Sequence, residues 1–214
     1  MKQRAANRDS LEPMRTAYIG MGGNLASWAG GPEVTLAAAA LRLESLGRVA
    51  CRSSLYSTAP VGFADQPRFA NAVVALETEL PPRELLDGLL SVEREFGRKR
   101  AAGFANGPRT LDLDILLLGD LEVREPGLEI PHPRLAERAF VLAPFNEIAP
   151  GVLVPGSGKT VGQLMDSLLS ESKTRNRFRA GPGAPGSSSD SDAVVQLICD
   201  SWDAFAIAKG LSEP

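Results

Sequence analysis

Two carboxylates in the stretch TLDLDILLL are the residues of this sequence best suited to chemistry. Asp112 and Asp114 alternate with apolar residues, and this period of two is typical of a strand with both acids on one face. Magnesium is commonly held by one or two such carboxylates together with substrate phosphates. For the acids alone, a solvent-exposed strand face is the alternative. The apolar residues between and around them are Leu111, Leu113 and Ile115.

Cations flank the two acids. Arg109 lies just before the acidic strand, and Arg98, Lys99 and Arg100 stand at the other end of a polar, glycine-containing loop. Planar guanidinium groups suit phosphoryl oxygens, and a mobile loop could deliver them after a substrate has bound. For residues 98–100 alone, a solvated helix C-terminus is the competing explanation, because cations are favoured there. Arg109 is a more direct indication of a phosphate contact than residues 98–100 are.

Two further polar side chains could complete a substrate site. His132, the only histidine, lies between two prolines, and Asn71 lies near Phe69 in a predicted strand. An imidazole can hydrogen-bond a ligand, and an amide beside an aromatic ring can bind a flat heterocycle. A structural histidine and simple strand-edge packing of Asn71 are the competing interpretations.

The stretch GSGKT at residues 156–160 resembles the end of a phosphate-binding loop. That motif requires a glycine where this chain has Leu153, and Pro155 interrupts the strand that should run into the loop. The sequence therefore predicts a turn before the last helix at this point.

The predicted elements would position these residues. The order strand, helix, strand, strand, helix, strand is typical of an α+β, ferredoxin-like two-layer sandwich, with helices on one face of an antiparallel sheet. The other face is then expected to be free for ligands. Strands are predicted at residues 16–21, 49–57, 69–80 and 110–118, and helices at 32–46, 82–96, near 134–138 and from 160.

Composition limits the class of protein. Of 214 residues, 43% are hydrophobic and 23% are charged, which supports one principal core. The net charge of −3 and the local clusters of arginine argue against a nucleic-acid partner. Cys51 and Cys199 are too isolated for a disulfide framework or a zinc site. The charged N-terminus lacks a signal-peptide core and no apolar run would span a membrane, so we expect a cytoplasmic protein.

Shifts in composition divide the chain. Residues 1–15 are expected to be a disordered extension and residues 16–172 the main domain. Residues 173–192 include GPGAPGSSSDSD, whose glycine, proline and serine content is typical of a flexible linker. Residues 193–214 are expected to form a C-terminal amphipathic helix and tail.

The predicted C-terminal helix depends on four apolar residues at near-helical spacing, which are Val194, Ile198, Trp202 and Phe205. So short a helix is marginal alone and needs a surface to pack on. The segment is not basic, so contact with protein is favoured over contact with a membrane.

Five separated blocks of the sequence carry a family resemblance. In chain order they are YSTAPVG, DQPRFANAVVALET, GPRTLDLDILL, IPHPRLAERAFVLAPF and EIAP. Over residues 17–169 the chain resembles 6-hydroxymethyl-7,8-dihydropterin pyrophosphokinase. The resemblance implies a ferredoxin-like fold and transfer of the pyrophosphoryl group of ATP to the pterin hydroxymethyl oxygen, with release of AMP, in folate synthesis. Two magnesium ions are implied with ATP as the co-substrate.

The resemblance also implies a role for each matching side chain. Asp112 and Asp114 match the magnesium ligands, and Arg98 and Arg109 match catalytic arginines that also contact ATP. The other implied ATP contacts are Glu93, His132 and Arg138. The implied pterin pocket consists of Gly22, Thr58, Val61, Phe69, Asn71 and Phe140, with Asn71 binding the heterocycle edge and Phe140 stacking on it.

Departures from the family cluster in the loop before the GPR block. Some relatives carry tryptophan where this chain has Asn106, with Phe104 two residues earlier, so loop closure is expected to differ in detail. The roles of Lys99 and Arg100 stay open. Two alternatives are an inactive nucleotide- or pterin-binding protein on the same fold, and a scaffold whose C-terminal helix is the functional part.

Overall fold

The computed structural model describes residues 13–60, 65–99, 107–179 and 195–199. Among the predicted site residues, Val61 lies outside this part of the chain, as do Arg100, Phe104 and Asn106 in the loop before the acidic strand. Within the described ranges no helix is both long enough and apolar enough to cross a membrane.

The described part of the chain contains ten strands and four α-helices. The strands are β1 (Arg15–Gly23), β2 (Arg48–Arg52), β3 (Leu55–Thr58), β4 (Phe69–Thr78), β5 (Asp112–Leu118), β6 (Val123–Glu125), β7 (Leu128–Ile130), β8 (Leu153–Val154), β9 (Lys159–Thr160) and β10 (Val195–Cys199). The helices are α1 (Pro32–Leu43), α2 (Pro82–Glu95), α3 (Ala139–Ile148) and α4 (Val161–Arg179), and a 3-10 helix spans Leu135–Glu137.

Six strands form one antiparallel sheet in the order β10-β3-β4-β1-β5, with β2 also paired to β4. This order, with α1 and α2 as the connections, is ferredoxin-like, and it confirms the predicted fold class. Strands β6 and β7 form a separate hairpin, as do β8 and β9. The β8–β9 hairpin holds the GSGKT stretch, where Gly156 and Gly158 adopt positive φ values of 71° and 66°. The predicted turn before the last helix is confirmed.

Two apolar cores lie on opposite faces of the sheet. The first packs α1 and α2 on the sheet around Ile19, Leu76 and Phe96. The second packs α3 and α4 around Leu116 and Phe145. The second face is therefore free for ligands only where α3 and α4 do not cover it.

The C-terminal part of the chain differs from its prediction. Residues Val195–Cys199 form a strand paired with β3, so the predicted helix is wrong over these residues. Valines and alternating apolar residues in VVQLIC fit a strand as well as a helix, and the edge of β3 offers backbone partners that decide between them. Helix α4 continues to Arg179, so residues 173–179 of the expected linker are helical. The rest of the predicted linker and helix lies outside the described residues.

Candidate active site

The acidic strand lies beside two glycines of β1. Asp112 pairs with Gly22 and Asp114 with Gly20 across the antiparallel ladder. Leu113, between the acids, packs in the core beneath α1 and α2. The acids therefore project from the other face together, as their alternation predicted. Both glycines line the same cleft as the two acids, and neither adds a side chain to it.

The acids line a cleft that three strands, the loop before β5 and the start of α3 form together. Carboxylate, amide, guanidinium and aromatic groups converge on it from distant parts of the sequence. Seven of the predicted site residues line this cleft: Gly22, Asn71, Arg109, Asp112, Asp114, Arg138 and Phe140.

Asn71 is buried on β4, and a second predicted residue fixes the orientation of its amide. Asn71 Nδ2 donates a hydrogen bond of 2.8 Å to Thr58 Oγ1. The amide oxygen then lies on the side of Gly22, where an added Cβ would approach Asn71 Oδ1 to 3.1 Å. The cleft therefore presents a carbonyl acceptor that suits the N–H groups of a flat heterocycle. Thr58 acts through Asn71 and does not line the cleft itself.

Arg109 is held between Asp112 and Phe69. Its Nε lies 3.0 Å from Asp112 Oδ2, and its guanidinium carbon lies 5.1 Å from the centroid of the Phe69 ring. A cation over an aromatic face is attracted by the ring quadrupole. Phe69 thus contacts the arginine instead of lining the cleft.

Arg98 contacts the other carboxylate oxygen of Asp112 and is itself held from behind. Its Nη1 donates to Glu93 Oε1 at 3.1 Å and to the Leu111 carbonyl at 3.0 Å. Glu93, only 2% exposed, also accepts a bond of 2.9 Å from the Leu113 N–H. In this geometry Glu93 fixes Arg98 and the start of β5.

The two acids differ in their electrostatic surroundings. Asp112 is paired with two arginines, whereas Asp114 has Arg138 Nη1 at 4.0 Å. Burial first, and then the charge of Asp112, raise the pKa of Asp114 to about 6, although Arg138, Arg109 and Arg98 act to lower it. The Asp114 side chain keeps 42% of its surface exposed, so water screens part of this effect. A divalent cation would relieve the repulsion between the acids, so the pair fits one.

His132 lies in a second cleft, on the other side of Asp114. Its Nδ1 accepts a hydrogen bond of 3.0 Å from the Arg134 N–H. Burial, followed by the charges of Arg138 and Arg134, lowers the pKa of His132 to about 4. The imidazole is therefore neutral near pH 7 and carries its proton on Nε2, which can donate to a phosphoryl oxygen.

Asp114 lines both clefts. Molecules bound in the two clefts would therefore meet at this residue, whose side chain lies 4.0 Å from Arg138 Nη1. The arrangement suits transfer of a charged group from one bound molecule to another.

Asn24 is a site residue that the sequence analysis missed. Its Oδ1 accepts a bond of 2.9 Å from the Arg109 N–H, and its Nδ2 donates to Gln66 Oε1 at 3.1 Å and to the Pro67 carbonyl at 3.0 Å. The side chain, 3% exposed, thus joins the end of β1 to the segment carrying Arg109 and to the segment that leads to Phe69. An asparagine directly after two glycines at a strand end is the signal that could have identified it.

Glu147 on α3 was also missed. Its carboxylate accepts bonds of 3.0 Å from the Ser54 N–H, 2.7 Å from Ser54 Oγ and 2.8 Å from the Tyr56 hydroxyl. Helix α3 also carries Phe140, so Glu147 sets the position of the aromatic side of the cleft relative to β3.

Solved structures with the same fold include crystal structures of Plasmodium falciparum HPPK-DHPS. The wild type with pteroate matches with a TM-score of 0.62 at 15% sequence identity, over 77% of this chain and 46% of that one. The chain thus spans less than half the length of that protein, and at this identity the likeness concerns the fold alone.

Sequence comparison gives closer relatives. The protein named 2-amino-4-hydroxy-6-hydroxymethyldihydropteridine pyrophosphokinase in Pseudomonas aeruginosa is 42% identical over 154 residues, which cover 71% of this chain and 91% of that protein. The protein of the same name in Haemophilus influenzae is 38% identical over 171 residues, 79% of this chain and all of that protein. The family model described as 7,8-dihydro-6-hydroxymethylpterin-pyrophosphokinase (HPPK) matches residues 18–150. The chain belongs to this pyrophosphokinase family.

Proposed function

We propose that this chain transfers the β,γ-pyrophosphoryl group of ATP to the hydroxymethyl oxygen of 6-hydroxymethyl-7,8-dihydropterin. The products are AMP and the pterin diphosphate, in a step of folate synthesis. The observation that carries the proposal is the position of Asp114, which lines both the cleft with Asn71 and Phe140 and the cleft with His132. Membership of the family makes the chain an ATP-dependent diphosphokinase.

The pterin belongs in the cleft between β1, β4 and α3. Asn71 Oδ1 accepts from N–H groups on the heterocycle edge, and the Phe140 ring stacks on its face. Gly22 leaves room for the ring beside Asn71. Thr58 and Phe69 act from behind, through Asn71 and Arg109. Val61 remains assigned to this pocket by family resemblance.

The nucleotide belongs in the cleft on the other side of Asp114. The His132 Nε2–H donates to phosphoryl oxygens there, and the Arg138 guanidinium reaches them from the first cleft, past Asp114. Arg98 and Arg109 approach the transferring group from the Asp112 side. Glu93 holds Arg98 in place.

We propose Asp112 and Asp114 as ligands of two Mg²⁺ ions. Among the described residues there is no cluster of three or more His, Cys, Asp or Glu that could hold a metal, so phosphate oxygens and water would complete the coordination. Bound magnesium supplies charge neutralisation for the transferring group. Arg98 and Arg109 each form an ion pair with one oxygen of Asp112, and we propose that they shift from the acid to the phosphates when the nucleotide binds.

In the reaction the hydroxymethyl oxygen forms a bond to the β-phosphorus while the bond between this phosphorus and the oxygen bridging to the α-phosphate breaks. AMP leaves with that oxygen, and the hydroxyl proton passes to solvent. Positioning and neutralisation of charge supply most of the acceleration in such transfers, so no strong general base is needed.

We further propose small-molecule substrates only, no nucleic-acid or membrane partner, and a cytoplasmic location for the chain. The catalytic unit comprises residues 16–172, and α4 extends it to Arg179. The net charge of −3 supports the absence of a polyanionic partner.

The decisive assay supplies MgATP and reduced hydroxymethylpterin and measures both products. We expect AMP in a one-to-one ratio with pterin diphosphate, and none when magnesium is chelated. ADP as the main product would contradict pyrophosphoryl transfer. Binding of both substrates without any product would instead favour the inactive binding protein.

A further inference from the structure

Strand β3 supports the pterin side of the cleft, although it is only four residues long. It pairs with β4 at three positions, which join Tyr56 to Asn71, Ser57 to Ala70 and Thr58 to Phe69. The paired stretch of β4 therefore includes two residues of the proposed pterin site. Thr58, the last residue of β3, also fixes the Asn71 amide through its hydroxyl. A strand this short would fray readily as the edge of a sheet.

The C-terminal strand β10 pairs along the other side of β3. The register runs antiparallel and takes in every residue of β3: Val195 with Thr58, Gln196 with Ser57, Leu197 with Tyr56 and Cys199 with Leu55. Strand β10 also lies against α3, the helix that carries Phe140. With β10 in place, β3 is an internal strand.

The same chain can supply this strand without a second copy. Residues 180–194 separate α4 from β10, and 15 extended residues span up to ~50 Å. This reach exceeds the diameter of about 40 Å expected for a domain of this size. The family match ends at residue 150, so β10 lies outside the part of the chain that the family defines.

We propose that residues 195–199 are a positioning strand for the pterin pocket. By pairing with β3 they hold Thr58 in the place from which it orients Asn71. This inference rests on the proposed function for its ligand, but the strand pairing can be tested without any ligand.

The test uses the full chain with Leu197→Pro, because proline removes a backbone donor and resists pairing inside a sheet. Ser188→Pro, in the stretch that precedes β10, is the matched control. We expect the KM for pterin to rise about tenfold in Leu197→Pro, with kcat and the KM for ATP within about twofold of the parent. Ser188→Pro should leave all three unchanged.

Hydrogen exchange gives a readout independent of activity. The amides of Leu55–Thr58 should lose protection in Leu197→Pro and keep it in Ser188→Pro. A second pair of variants ends the chain after Asp200, which retains β10, or after Ala193, which removes it. Only the chain that ends after Ala193 should reproduce the loss of protection in β3.

Unchanged protection of β3 together with an unchanged pterin KM, in both Leu197→Pro and the chain ending at Ala193, would overturn the inference. Loss of protection with an unchanged pterin KM would equally overturn it, since the pocket would then not depend on β3 pairing. Failure of the proposed function has a different signature: no variant, nor the parent chain, would form AMP, whatever the exchange shows.

Discussion

At the scale of single residues, the site consists of guanidinium and carboxylate groups, and the two carboxylates differ in how closely arginines pair with them. Arg98 and Arg109 both contact Asp112, while Asp114 lies 4.0 Å from Arg138 and has a raised pKa. Stability without magnesium and turnover with magnesium should therefore respond in opposite directions when Asp114 loses its charge.

We predict that Asp114→Asn stabilises the protein in the absence of magnesium. The pKa of Asp114 is about 6 in the fold against 3.8 for the free side chain, so its contribution is fully favourable below pH 3.8 and is lost as the pH rises through 6. After a discount for exposure, the variant should gain about 1 kcal/mol in free energy of unfolding at pH 7.5, and the gain should vanish near pH 4.

Urea unfolding with EDTA at the two pH values measures this difference. The exposed Asp120, just beyond β5, provides the control Asp120→Asn, which should change neither stability nor turnover. Asp114→Asn should also abolish magnesium-dependent turnover. A variant that is less stable than the parent at pH 7.5, or one that keeps near-normal turnover, would contradict the role given to Asp114.

Substitution of Arg109 should affect mainly kcat, and substitution of Asn71 should affect mainly the KM for pterin. Arg109→Ala should lower kcat by about 10²- to 10³-fold with a small change in pterin KM, because in the proposed mechanism the guanidinium stabilises charge on the transferring group. Asn71→Ala should raise pterin KM by about tenfold or more, because it removes the proposed acceptor for the heterocycle. Steady-state kinetics of both variants measures these effects. The control is Arg124→Ala, which changes an exposed arginine of β6. Equal effects on both parameters in both variants would contradict this division.

At the scale of elements, sequence patterns predicted the strands and helices that alternate cleanly. The two-residue period of TLDLDILLL identified β5 and the shared face of its acids. Helix α3 was missed because Pro144 lies inside it, where proline is normally unfavourable. One predicted strand is two, since Ser53 interrupts it and bonds the backbone of Val73 through its hydroxyl. For Val195–Cys199 the predicted helix was wrong, because these residues fit both periods and their pairing with β3 makes them a strand.

Asn24 contacts two separate segments, so its two substitutions are predicted to have different effects on kcat and on pterin KM. Asn24→Ala removes the bonds to both neighbouring segments, so kcat should fall and pterin KM should rise, each by about tenfold. Asn24→Asp keeps the oxygen that accepts from the Arg109 N–H but loses both donors to Gln66 and Pro67. It should therefore restore much of kcat while pterin KM stays raised.

Steady-state kinetics of the two Asn24 variants, with a thermal melt of each, tests this split. A variant that merely loosened the fold would lower Tm and change both parameters together. Full recovery of both by Asn24→Asp, or of neither, would argue against Asn24 as the link between the two segments.

At the scale of the whole molecule, the site depends on contacts between residues far apart in sequence. Residue types and sequence blocks suggested the candidate site residues, and seven of these line one cleft. They could not predict that Glu93 acts through Arg98, because that depends on α2 packing beside β5. Nor could they show that one residue, Asp114, would line two clefts, which follows from where α3 and the β6–β7 hairpin lie relative to the sheet.

The shared position of Asp114 predicts that binding in the two clefts is coupled. Magnesium and nucleotide would compensate the charges of Asp112 and Asp114 and draw Arg109 toward phosphate, which leaves a cleft wall better matched to the neutral pterin. We expect a non-hydrolysable ATP analogue with magnesium to tighten pterin binding at least about fivefold, a coupling free energy of about 1 kcal/mol, and pterin to tighten analogue binding by the same factor. Calorimetric titrations around the complete cycle measure both factors.

In Asp114→Asn the coupling factor should fall toward one, whereas Asp120→Asn should preserve it. Independent binding in the parent chain would mean that the two clefts do not meet at Asp114 when occupied.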